Sequence, residues 1–447
     1  MAQTRFRLSR WLAEHGLSPD NRAEAAKTVP DGARIAIIGA GAAGLYAGKT
    51  LHDRGIDFTI FEASERIGGR LGKSTALSHM PVDLGAEWIH GHRTLTHKLA
   101  KKAGADILED ESELALWFDN RLYDERDMPK AFRSLYAKAM KCRGPADDLT
   151  LTEWAVAEGL PAEQMVLLPA LANDSGGSAH RMSAYAAIEE ESRSRSGEDD
   201  YKVRDWTYFD LVETLVAEPI ADRIETHAAV ERIGYDKTGV TLAVGGEEHR
   251  FDRAILTTSV NILKSGSIGF EPALPADKTE AIGKIGMEAG HKMFLTFTED
   301  FFGSQEVVGG AIGNLYYDAR IGKSSDRPTI GVFTTGERAQ AMSDMGREGA
   351  ITAVIDDLDR IFGGRASETF TGDAVVQDWT TEPFILGGYS YPTIGMGDAR
   401  ETLAAPVADV LFFAGEATHC DGESATVHGA METGERAALE AIHSFAE

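Results

Sequence analysis

One stretch of about thirty residues, RIAIIGAGAAGLYAGKTLHDRGIDFTIFEA (34–63), constrains the fold more than any other part of the chain. It begins with a continuous β-branched run, Ile35–Ile38, which is typical of a buried strand. A glycine-rich turn follows, and then the helical pattern of Ala42–His52 and a second strand, Asp57–Phe61. This order predicts the βαβ unit of a Rossmann-like α/β fold.

The turn has the chemistry of a dinucleotide site. Three glycines have the spacing G-x-G-x-x-G: Gly39, Gly41 and Gly44. The first allows a tight turn, the second lets the backbone approach a pyrophosphate, and the third allows the helix to pack closely on the strand. The helix N-terminus then offers unpaired N–H groups to the phosphates. Glu62 follows the second strand, where its carboxylate can bind both ribose hydroxyls and would repel a 2′-phosphate, so NADP is disfavoured.

The bulk composition excludes several partner classes. The chain has 447 residues, 43% apolar and 26% charged, as expected of a globular protein with two or three domains. The net charge of −26 argues against nucleic-acid and anionic-membrane partners, which require basic patches. No apolar run is long enough for a membrane helix or a secretory signal. Two cysteines give neither a disulfide framework nor a zinc site, so we expect a cytoplasmic protein without a metal.

Three further motifs occur in order along the chain: ERIGGR (65–70), PVDLGAEWIHG (81–91) and ATVHGAMETGERAA (425–438). In the first motif, Gly68 and Gly69 permit a second close backbone approach, and Arg66 and Arg70 bring positive charge to the same phosphates. With the dinucleotide unit, these motifs resemble those of the flavin-containing amine oxidase superfamily, which includes monoamine oxidases, polyamine oxidases and lysine-specific histone demethylases. The resemblance extends from about residue 34 to 442 and implies FAD as the cofactor.

The resemblance also implies the architecture, a Rossmann-like FAD-binding domain interleaved with an α+β substrate-binding domain. The predicted boundaries are 31–95, 206–275 and 400–447 for the FAD-binding domain, 96–205 and 276–399 for the substrate-binding domain, and 1–30 for an N-terminal helical extension. The polar segment EEESRSRSGEDDYKV, Glu189–Val203, is interpreted as a surface loop near a domain boundary. Homodimers are common in the family, so a homodimer is possible.

Further cofactor contacts follow from the resemblance. Val230 occupies the position whose backbone holds the adenine in family members, and Trp379 the position of a tryptophan beside the flavin. The amides of Thr426 and Val427 are expected to meet the flavin O2/N1 region, where negative charge grows on reduction. The full set of predicted FAD contacts is Gly39, Gly41, Ala43, Gly44, Glu62, Ala63, Arg66, Gly69, Arg70, Gly85, Ala86, Glu87, Trp88, Val230, Trp379, Gly415, Glu416, Ala425, Thr426 and Val427.

The resemblance assigns catalytic candidates as well. Lys292, in EAGHKMFLTF, stands where the family places a lysine that holds a water against flavin N5 and is tied to reoxidation by oxygen. Tyr389 occupies the position of one wall of an aromatic cage, which excludes water and attracts an amine. The stretch around Tyr389 lacks the flavin-linking cysteine of monoamine oxidases, which implies FAD bound without a covalent bond. His90 corresponds to a histidine or glutamate in the substrate tunnel of polyamine oxidases, although a structural role is equally compatible.

Glu423 departs from the family pattern. The family usually supplies the second aromatic of the cage a few residues before TVHGA, whereas this chain has Glu423 there and Asp421 close by. The cage is therefore expected to be open on one side. The Glu423 carboxylate either binds a second positive charge of the substrate, points into solvent, or caps the helix at Thr426.

Together these features predict an FAD-dependent amine oxidase. It would convert an amine to an imine, which hydrolyses to an aldehyde or ketone, and reduce O2 to H2O2. One alternative is an L-amino-acid oxidase, which typically has an arginine in the block where this chain has Trp88 and no arginine until Arg93; Arg204 elsewhere can still serve. A flavin amine dehydrogenase with another electron acceptor also stays open. A demethylase-like scaffold is disfavoured because the chain has no long insertion, and the sequence does not specify the substrate.

Overall fold

The computed structural model describes residues 29–172, 175–197 and 199–446. The predicted N-terminal extension lies almost entirely outside these residues. The strands of the first half of the chain are β1 (Arg34–Ile38), β2 (Asp57–Phe61), β3 (Lys73–Ser74), β4 (Val82–Asp83), β5 (Ile89–His90), β6 (Ile107–Glu109), β7 (Glu113–Phe118), β8 (Arg121–Asp124), β9 (Asp200–Val203) and β10 (Ile224–Glu225). The later strands are β11 (Val230–Asp236), β12 (Gly239–Val244), β13 (Glu247–Phe251), β14 (Arg253–Leu256), β15 (Gly269–Glu271), β16 (Ile285–Met287), β17 (Gly290–Phe297), β18 (Gln305–Val308), β19 (Leu315–Asp318), β20 (Thr329–Thr335), β21 (Phe370–Asp378), β22 (Ser390–Pro392) and β23 (Leu411–Phe413).

The α-helices alternate with these strands. They are α1 (Ala42–His52), α2 (Leu95–Ala103), α3 (Lys130–Met140), α4 (Leu151–Ala157), α5 (Leu168–Ala172), α6 (Ala184–Glu191), α7 (Tyr208–Val212), α8 (Val260–Ser265), α9 (Ala276–Lys284), α10 (Gly336–Phe362), α11 (Arg365–Thr369), α12 (Ala399–Ala404) and α13 (Val427–His443). Helix α10 is interrupted at Gly346, where φ is +66°. None of the helices in the described part of the chain combines the length and apolarity needed to span a membrane.

A five-stranded sheet in the order β10-β2-β1-β14-β23 contains the predicted dinucleotide unit, and its pairings are parallel. Alternate residues of β1 face opposite sides, as strand geometry requires: Ile35 and Ile37 pack under helices α1 and α13, whereas Ala36 and Ile38 pack on the other face. The predicted bounds of α1 and β2 are confirmed, and β1 begins one residue earlier than predicted, at Arg34.

The alternating pattern between residues 228 and 259 forms an antiparallel meander. Strands β11, β12 and β13 pair in sequence, β15 joins β11 in parallel, and β14 returns to the five-stranded sheet. This meander covers the face of the five-stranded parallel sheet that lies opposite α1. The strand prediction for this stretch is therefore confirmed.

A seven-stranded mixed sheet, β21-β17-β20-β19-β18-β7-β8, organises the other part of the molecule. Helix α10 packs on one face of this sheet through Met342, Val354 and Leu358. Every residue of β17, including Lys292, is buried. The fold is thus a mixed α/β architecture with a parallel Rossmann-like sheet, as predicted, while the predicted domain boundaries stay a prediction.

The interpretation of Glu189–Val203 as a surface loop holds for its middle, where Ser192 and Arg195 are exposed, and is wrong at both ends. Its first residues end helix α6, and its last four form β9, the central strand of a small sheet in the order β5-β9-β6. Lys202 in this strand is only 2% exposed. The polarity of the segment misled the prediction at its end, because Lys202 is buried against Glu87 and Asp110, which lie far away in the sequence.

Candidate active site

A cavity of about 1730 Å³ extends along the carboxyl edge of the parallel sheet and on between the helices. Single-ligand sites usually enclose about 300–1,000 Å³, so this volume suffices for a dinucleotide and a substrate together. All four predicted catalytic residues line the cavity: Lys292, Tyr389, His90 and Glu423. Most of the predicted FAD contacts line it too, and Gly44 lies behind Gly39 and Gly41 in the wall.

The glycine turn fits a pyrophosphate. Gly39 has φ of +106°, a conformation that glycine adopts readily. A methyl group on Gly44 would lie 1.9 Å from the Gly39 carbonyl oxygen, so helix α1 packs so closely against the turn that only glycine fits at this position. Gly41 is the N-cap of α1 and provides no side-chain hydrogen bond to the first N–H groups. Space is open in front of Gly41. The N-terminus of α1 therefore presents unpaired N–H donors to the cavity.

Glu62 is fixed where a ribose is expected. Its carboxylate accepts hydrogen bonds from the backbone N–H of Ala40 at 2.7 Å and of Ser64 at 2.9 Å. The side chain is buried and lines the cavity beside Ala63 and Val230. A carboxylate with this anchoring accepts hydrogen bonds in a defined direction, which fits two ribose hydroxyls and disfavours a phosphate.

The second glycine pair closes the phosphate side of the cavity. Gly41 and Gly68 form a β-bridge, and a methyl group on Gly69 would come within 3.3 Å of the Gly41 Cα. The guanidinium of Arg66 donates to the carbonyl oxygens of Gly69 and Leu71, at 2.9 and 3.1 Å. Arg66 therefore holds the glycine loop in place as well as supplying charge.

Arg70 connects this loop to the C-terminal part of the chain. It donates to the carbonyl oxygen of Gly388 at 3.0 Å and to the carboxylate of Glu416 at 2.7 Å. Glu416 also accepts from the Ser390 hydroxyl at 2.6 Å and from the Ala425 backbone N–H at 3.0 Å. Burial would raise the pKa of Glu416, but the neighbouring arginines outweigh burial and lower it. The predicted FAD contacts at both ends of the sequence are thus tied to one another.

The turn before α13 has the form expected for the flavin contact. Ala425 adopts a left-handed conformation with φ of +63°, which is uncommon for a residue other than glycine. The Thr426 hydroxyl is the N-cap and accepts from the Gly429 N–H at 3.0 Å. Other N–H groups of the first turn, including that of Val427, stay available for the carbonyl edge of a flavin.

Glu423 neither points into solvent nor caps α13, so both of these alternatives are wrong. It is 9% exposed, and the capping role belongs to Thr426. Its carboxylate accepts from the Arg195 backbone N–H at 2.8 Å and from the Ser194 hydroxyl at 3.1 Å, and it pairs with the His428 ring at 2.9 Å. Glu423 therefore fixes the loop after α6 against α13, and its role towards a substrate stays a prediction.

The ring beside Tyr389 comes from an element that the sequence did not indicate. Phe333 on β20 lies nearly parallel to Tyr389, with ring centroids 6.3 Å apart and 23° between planes. Phe333 pairs in register with Lys292 on β17, so the two predicted catalytic residues are joined through it. Gly176 packs against the Tyr389 ring, where a methyl group would lie 2.5 Å from ring carbons.

Trp379 is buried and oriented by a hydrogen bond. Its indole N–H donates to the Leu84 carbonyl oxygen at 2.9 Å, and the Arg66 guanidinium lies 5.4 Å from its ring centroid. A methyl group on Gly85 would lie 3.1 Å from the ring. His90 contrasts with Trp379, because its imidazole is half exposed and pairs with Asp200 at 2.8 Å on the rim of the cavity.

A buried charge cluster lies behind Lys292. The Glu87 carboxylate accepts from Lys292 at 2.6 Å, from Lys202 at 3.0 Å and from the Tyr317 hydroxyl at 2.6 Å. Lys292 also donates to the Gly85 carbonyl oxygen at 2.9 Å. Glu87 was predicted as an FAD contact, whereas its carboxylate is occupied by these side chains. That prediction is not tested directly, since Glu87 also lines the cavity.

Trp88 and Asp110 complete this cluster. The Trp88 indole N–H donates to Asp110 at 2.8 Å, and Asp110 lies 3.6 Å from the Lys202 ammonium. The Lys202 ammonium also lies over the rings of Trp88 and Tyr317, 4.5 and 4.9 Å from their centroids. Burial lowers the pKa of Lys202, but the carboxylates of Glu87 and Asp110 outweigh burial and raise it.

Sequence reasoning missed Lys202 and Tyr317. A signal was present for each residue. Lys202 places a charge between Tyr201 and Val203 in a strand-like run, and Tyr317 continues the strand-like run LYYD at a position expected to be buried. Neither signal names its partner, since Lys202 is 115 residues from Glu87 and Tyr317 is 230 residues from it.

Helix α6 lines the far end of the cavity with apolar side chains and one carboxylate. Ala184, Ala187, Ile188 and Glu191 all line the cavity, and they have the i, i+3, i+4, i+7 spacing of one helix face. The apolar stripe thus ends at a carboxylate. The Glu191 carboxylate has no hydrogen-bond or ion-pair partner among the described residues, and partial burial followed by the nearby Glu423 charge raises its pKa. Neighbouring side chains from α3 and α4, including Phe132 and Trp154, are apolar.

Comparison with known proteins places this geometry in context. The sequence profile of the family described as flavin containing amine oxidoreductase matches residues 42–210 and 206–442. Polyamine oxidase 3 of Oryza sativa subsp. japonica is 26% identical over 436 residues, which cover 90% of this chain and 88% of that protein.

Solved structures show the same fold. Wild-type putrescine oxidase bound to putrescine superposes with a TM-score of 0.79 at 21% identity, over 91% of this chain and 98% of that one. Cyclohexylamine oxidase from Brevibacterium oxydans IH-35A superposes with a TM-score of 0.75 at 22% identity, over 93% of this chain and 99% of that one.

Proposed function

Because the chain belongs to the family of flavin containing amine oxidoreductases and is an FAD-dependent enzyme acting on CH–NH or CH–NH2 groups, we propose that it oxidises a small-molecule amine with O2 as the electron acceptor. The balanced reaction converts R–CH2–NH2 and O2 to R–CH=NH and H2O2, and water then hydrolyses the imine to an aldehyde and ammonia. Bound FAD supplies the hydride acceptor for the carbon next to nitrogen. The observation that carries the proposal is the single cavity that joins the dinucleotide cradle to Lys292 and Tyr389.

The residues around this cavity have complementary tasks in the proposal. The α1 N-terminus and Glu62 hold the pyrophosphate and ribose, and Trp379 and the α13 N-terminus hold the flavin. Tyr389, stacked on Phe333, provides an aromatic wall that excludes water from the amine and favours the neutral amine needed for C–H cleavage. Lys292 contributes a fixed ammonium group beside the reacting centre.

We propose that FAD is held without a covalent bond. The residues from Trp379 to Tyr391 include no cysteine. Cys420 is the cysteine nearest to the flavin turn in sequence, and burial raises the pKa of its thiol to about 12, which makes it a poor nucleophile. FAD should therefore be released intact by acid precipitation of the protein, and flavin retained in the protein pellet would contradict this point.

The cavity favours an amine with an apolar body and a second positive charge. The apolar face of α6 leads to Glu191, whose carboxylate has no partner among the described residues, while Asp200 lies on the rim and buried Glu423 lies in the wall. Two relatives, polyamine oxidase and putrescine oxidase, carry names of substrates with more than one amine. We therefore propose a diamine or polyamine as the substrate class.

The L-amino-acid oxidase alternative needs an unpaired arginine near the flavin. Arg66 and Arg70 line the cavity, but both guanidinium groups donate to protein acceptors, and two further lining arginines, Arg93 and Arg195, are exposed. Arg204, which the sequence left available, forms an ion pair with Asp106 at 2.8 Å and does not line the cavity. The two arginines of the glycine loop are thus engaged by the protein itself, which favours amines without a carboxylate.

Anaerobic mixing of the purified holoenzyme with monoamines, diamines, polyamines and amino acids tests the proposal. We expect diamines or polyamines to bleach the flavin absorbance fastest, and readmitted O2 to restore it with one H2O2 formed per amine oxidised. A panel without flavin reduction would refute amine oxidation. Reduction without reoxidation by O2 would instead indicate a dehydrogenase with another acceptor.

A further inference from the structure

We propose that Glu87 is a positioning residue for Lys292, and that Lys202 and Tyr317 hold Glu87 in the orientation and charge state that this task requires. The proposal rests on the proposed function, because it places the Lys292 ammonium beside the flavin. It assigns to the buried cluster a task in flavin reoxidation, beyond its contribution to folding.

The hydrogen bonds define the position of Lys292. An ammonium group has three donors on a flexible four-carbon stem. Two donors of Lys292 bind the Glu87 carboxylate and the Gly85 carbonyl oxygen. The third has no acceptor among the described residues, and Lys292 lines the cavity although it is only 2% exposed. The two bonds therefore direct the remaining donor to a ligand or water in the cavity.

Glu87 is itself held by the other members of the cluster. One oxygen accepts from both Lys292 and Tyr317, and the other accepts from Lys202, so the carboxylate cannot rotate without breaking a bond to a charged group. Tyr317 adds this constraint without adding charge. It is therefore the member whose substitution changes orientation while leaving the charge balance intact.

Lys202 helps to keep the buried Glu87 carboxylate ionised. Lys202 and Lys292 carry two positive charges and Glu87 and Asp110 carry two negative charges, and the buried pair Asp83–Lys323, 3.9 Å apart, adds one charge of each sign beside them. A buried charge without such a balance is strongly destabilising. Burial alone would raise the pKa of Glu87, but the two ammonium groups and the hydrogen bonds lower it well below its usual value.

The neighbouring residue on β19 provides a matched control. Tyr316 and Tyr317 point to opposite sides of the strand, and the Tyr316 hydroxyl binds the carboxylate of Asp357 at 2.5 Å. Both members of this second pair are buried, and neither lines the cavity. Tyr316→Phe and Asp357→Asn therefore reproduce the loss of a buried tyrosine–carboxylate bond away from the cofactor.

The first experiment measures pH profiles of the holoenzymes between about pH 6 and 9. In Glu87→Gln the two buried ammonium groups lose their shared carboxylate, so the charged form of Lys292 is disfavoured. We expect the rate constant for reoxidation by O2 to fall more steeply with rising pH in this variant than in the wild type and Asp357→Asn, in which buried Asp83, whose pKa burial raises to about 7, titrates beside the same groups. The absorption spectrum of bound oxidised FAD should titrate over the same range without any turnover.

The second experiment is a double-mutant cycle. We expect Tyr317→Phe to slow reoxidation by about three- to tenfold, as befits a lost hydrogen bond to a charged group, and Tyr316→Phe to leave it unchanged. Both Tyr317→Phe and Glu87→Gln should have no further effect in a Lys292→Met background, because they act through Lys292. If Glu87→Gln does not fold, the isosteric Tyr317→Phe still tests the inference.

The outcomes separate this inference from the proposed function. Profiles and spectra in Glu87→Gln that match those of the wild type, or effects of Tyr317→Phe that add fully to those of Lys292→Met, would overturn the positioning role. In that case normal reduction of the wild-type flavin by amines would still support the proposed function. A wild-type holoenzyme that no amine reduces would refute the proposed function itself.

Discussion

Gly434 and Ala43 mark the contact between the last and first helices of the FAD-binding cradle: a methyl group on Gly434 would lie 2.1 Å from the Ala43 carbonyl oxygen. Helix α13 carries the predicted flavin turn at its N-terminus, and helix α1 carries the predicted pyrophosphate site. The absence of a side chain at Gly434 thus sets the distance between two cofactor contacts.

Gly434→Ala is expected to push these helices apart. We expect a loss of about 1–3 kcal/mol in the free energy of unfolding, as for overpacking of a core, together with weaker FAD binding. Gly283→Ala is the control, because Gly283 lies in helix α9 with nothing within 4 Å of the added methyl. That variant should gain about 0.4–1 kcal/mol. Denaturant unfolding and FAD titration of the apoprotein measure both effects, and equal stabilities would contradict the packing argument.

Lys292→Met is expected to separate the two half-reactions. Loss of the ammonium group should slow reoxidation of the reduced holoenzyme by O2 by about 10²-fold, within the range for removal of an electrostatic stabiliser from an active site. Anaerobic reduction by the amine should change little, because C–H cleavage needs no lysine in the proposed reaction. Stopped-flow absorbance measures both rate constants. An equal loss in both half-reactions would show that Lys292 acts mainly on substrate binding or flavin position.

Glu191→Gln is expected to alter substrate preference. Its carboxylate terminates the apolar face of α6, so the neutral amide should raise KM for diamines by about tenfold, a typical cost for a lost bond to a charged group. The KM for monoamines of the same chain length should stay constant. Glu163→Gln, an exposed substitution outside the cavity lining, serves as the control. Steady-state assays with both amine classes measure the ratio, and equal changes would remove Glu191 from substrate recognition.

Glu423→Gln tests whether Glu423, rather than Glu191, binds the second positive charge of the substrate. It also tests how much Glu423 contributes to the stability of the protein. If Glu423 binds the substrate, the variant raises KM for dications far more than for amines with neutral tails. Equal effects on both would assign Glu423 to its observed task, which is to hold the loop at Ser194 and Arg195.

The pH dependence of this carboxylate has a defined sign. Burial raises the pKa of Glu423, but its bonds to His428 and to the Arg195 backbone outweigh burial and lower it. A carboxyl group with a lower pKa in the folded state stabilises the protein above its unfolded pKa and loses this contribution as pH falls. The wild type should therefore exceed Glu423→Gln in unfolding free energy near neutral pH, and this difference should shrink as pH falls below about 4.5. A difference independent of pH would contradict the assignment.

The sequence predicted those parts of the fold whose signals are local. Strand β1, helix α1 and strand β2 follow one another within 28 residues, and each has its own periodicity and turn chemistry. The helix predicted to start at about Thr426 is confirmed too, since it begins at Val427 with Thr426 as its N-cap. Local signals of this kind survive in any environment, because they depend on backbone geometry and neighbouring side chains.

The charge cluster escaped prediction for the opposite reason. Lys202 lies in a polar segment that, by hydropathy, belongs on the surface, and only its contacts with Glu87 and Asp110 make burial favourable. The ring beside Tyr389 escaped similarly, because Phe333 is an ordinary strand residue until the register of β20 with β17 brings it next to Lys292. Such pairings are set by tertiary structure, which a single sequence does not display.

The strand order of the parallel sheet has a consequence for biosynthesis. Strand β23 completes this sheet more than 370 residues after β1, and the flavin turn follows it directly. A ribosome that adds about 5–20 residues per second thus exposes the pyrophosphate turn for some 20 seconds or more before its counterpart is translated. We therefore expect FAD to bind late in synthesis of the chain. Until β23 is made, the edge of β14 has no strand partner, and it must be protected from pairing with other strands.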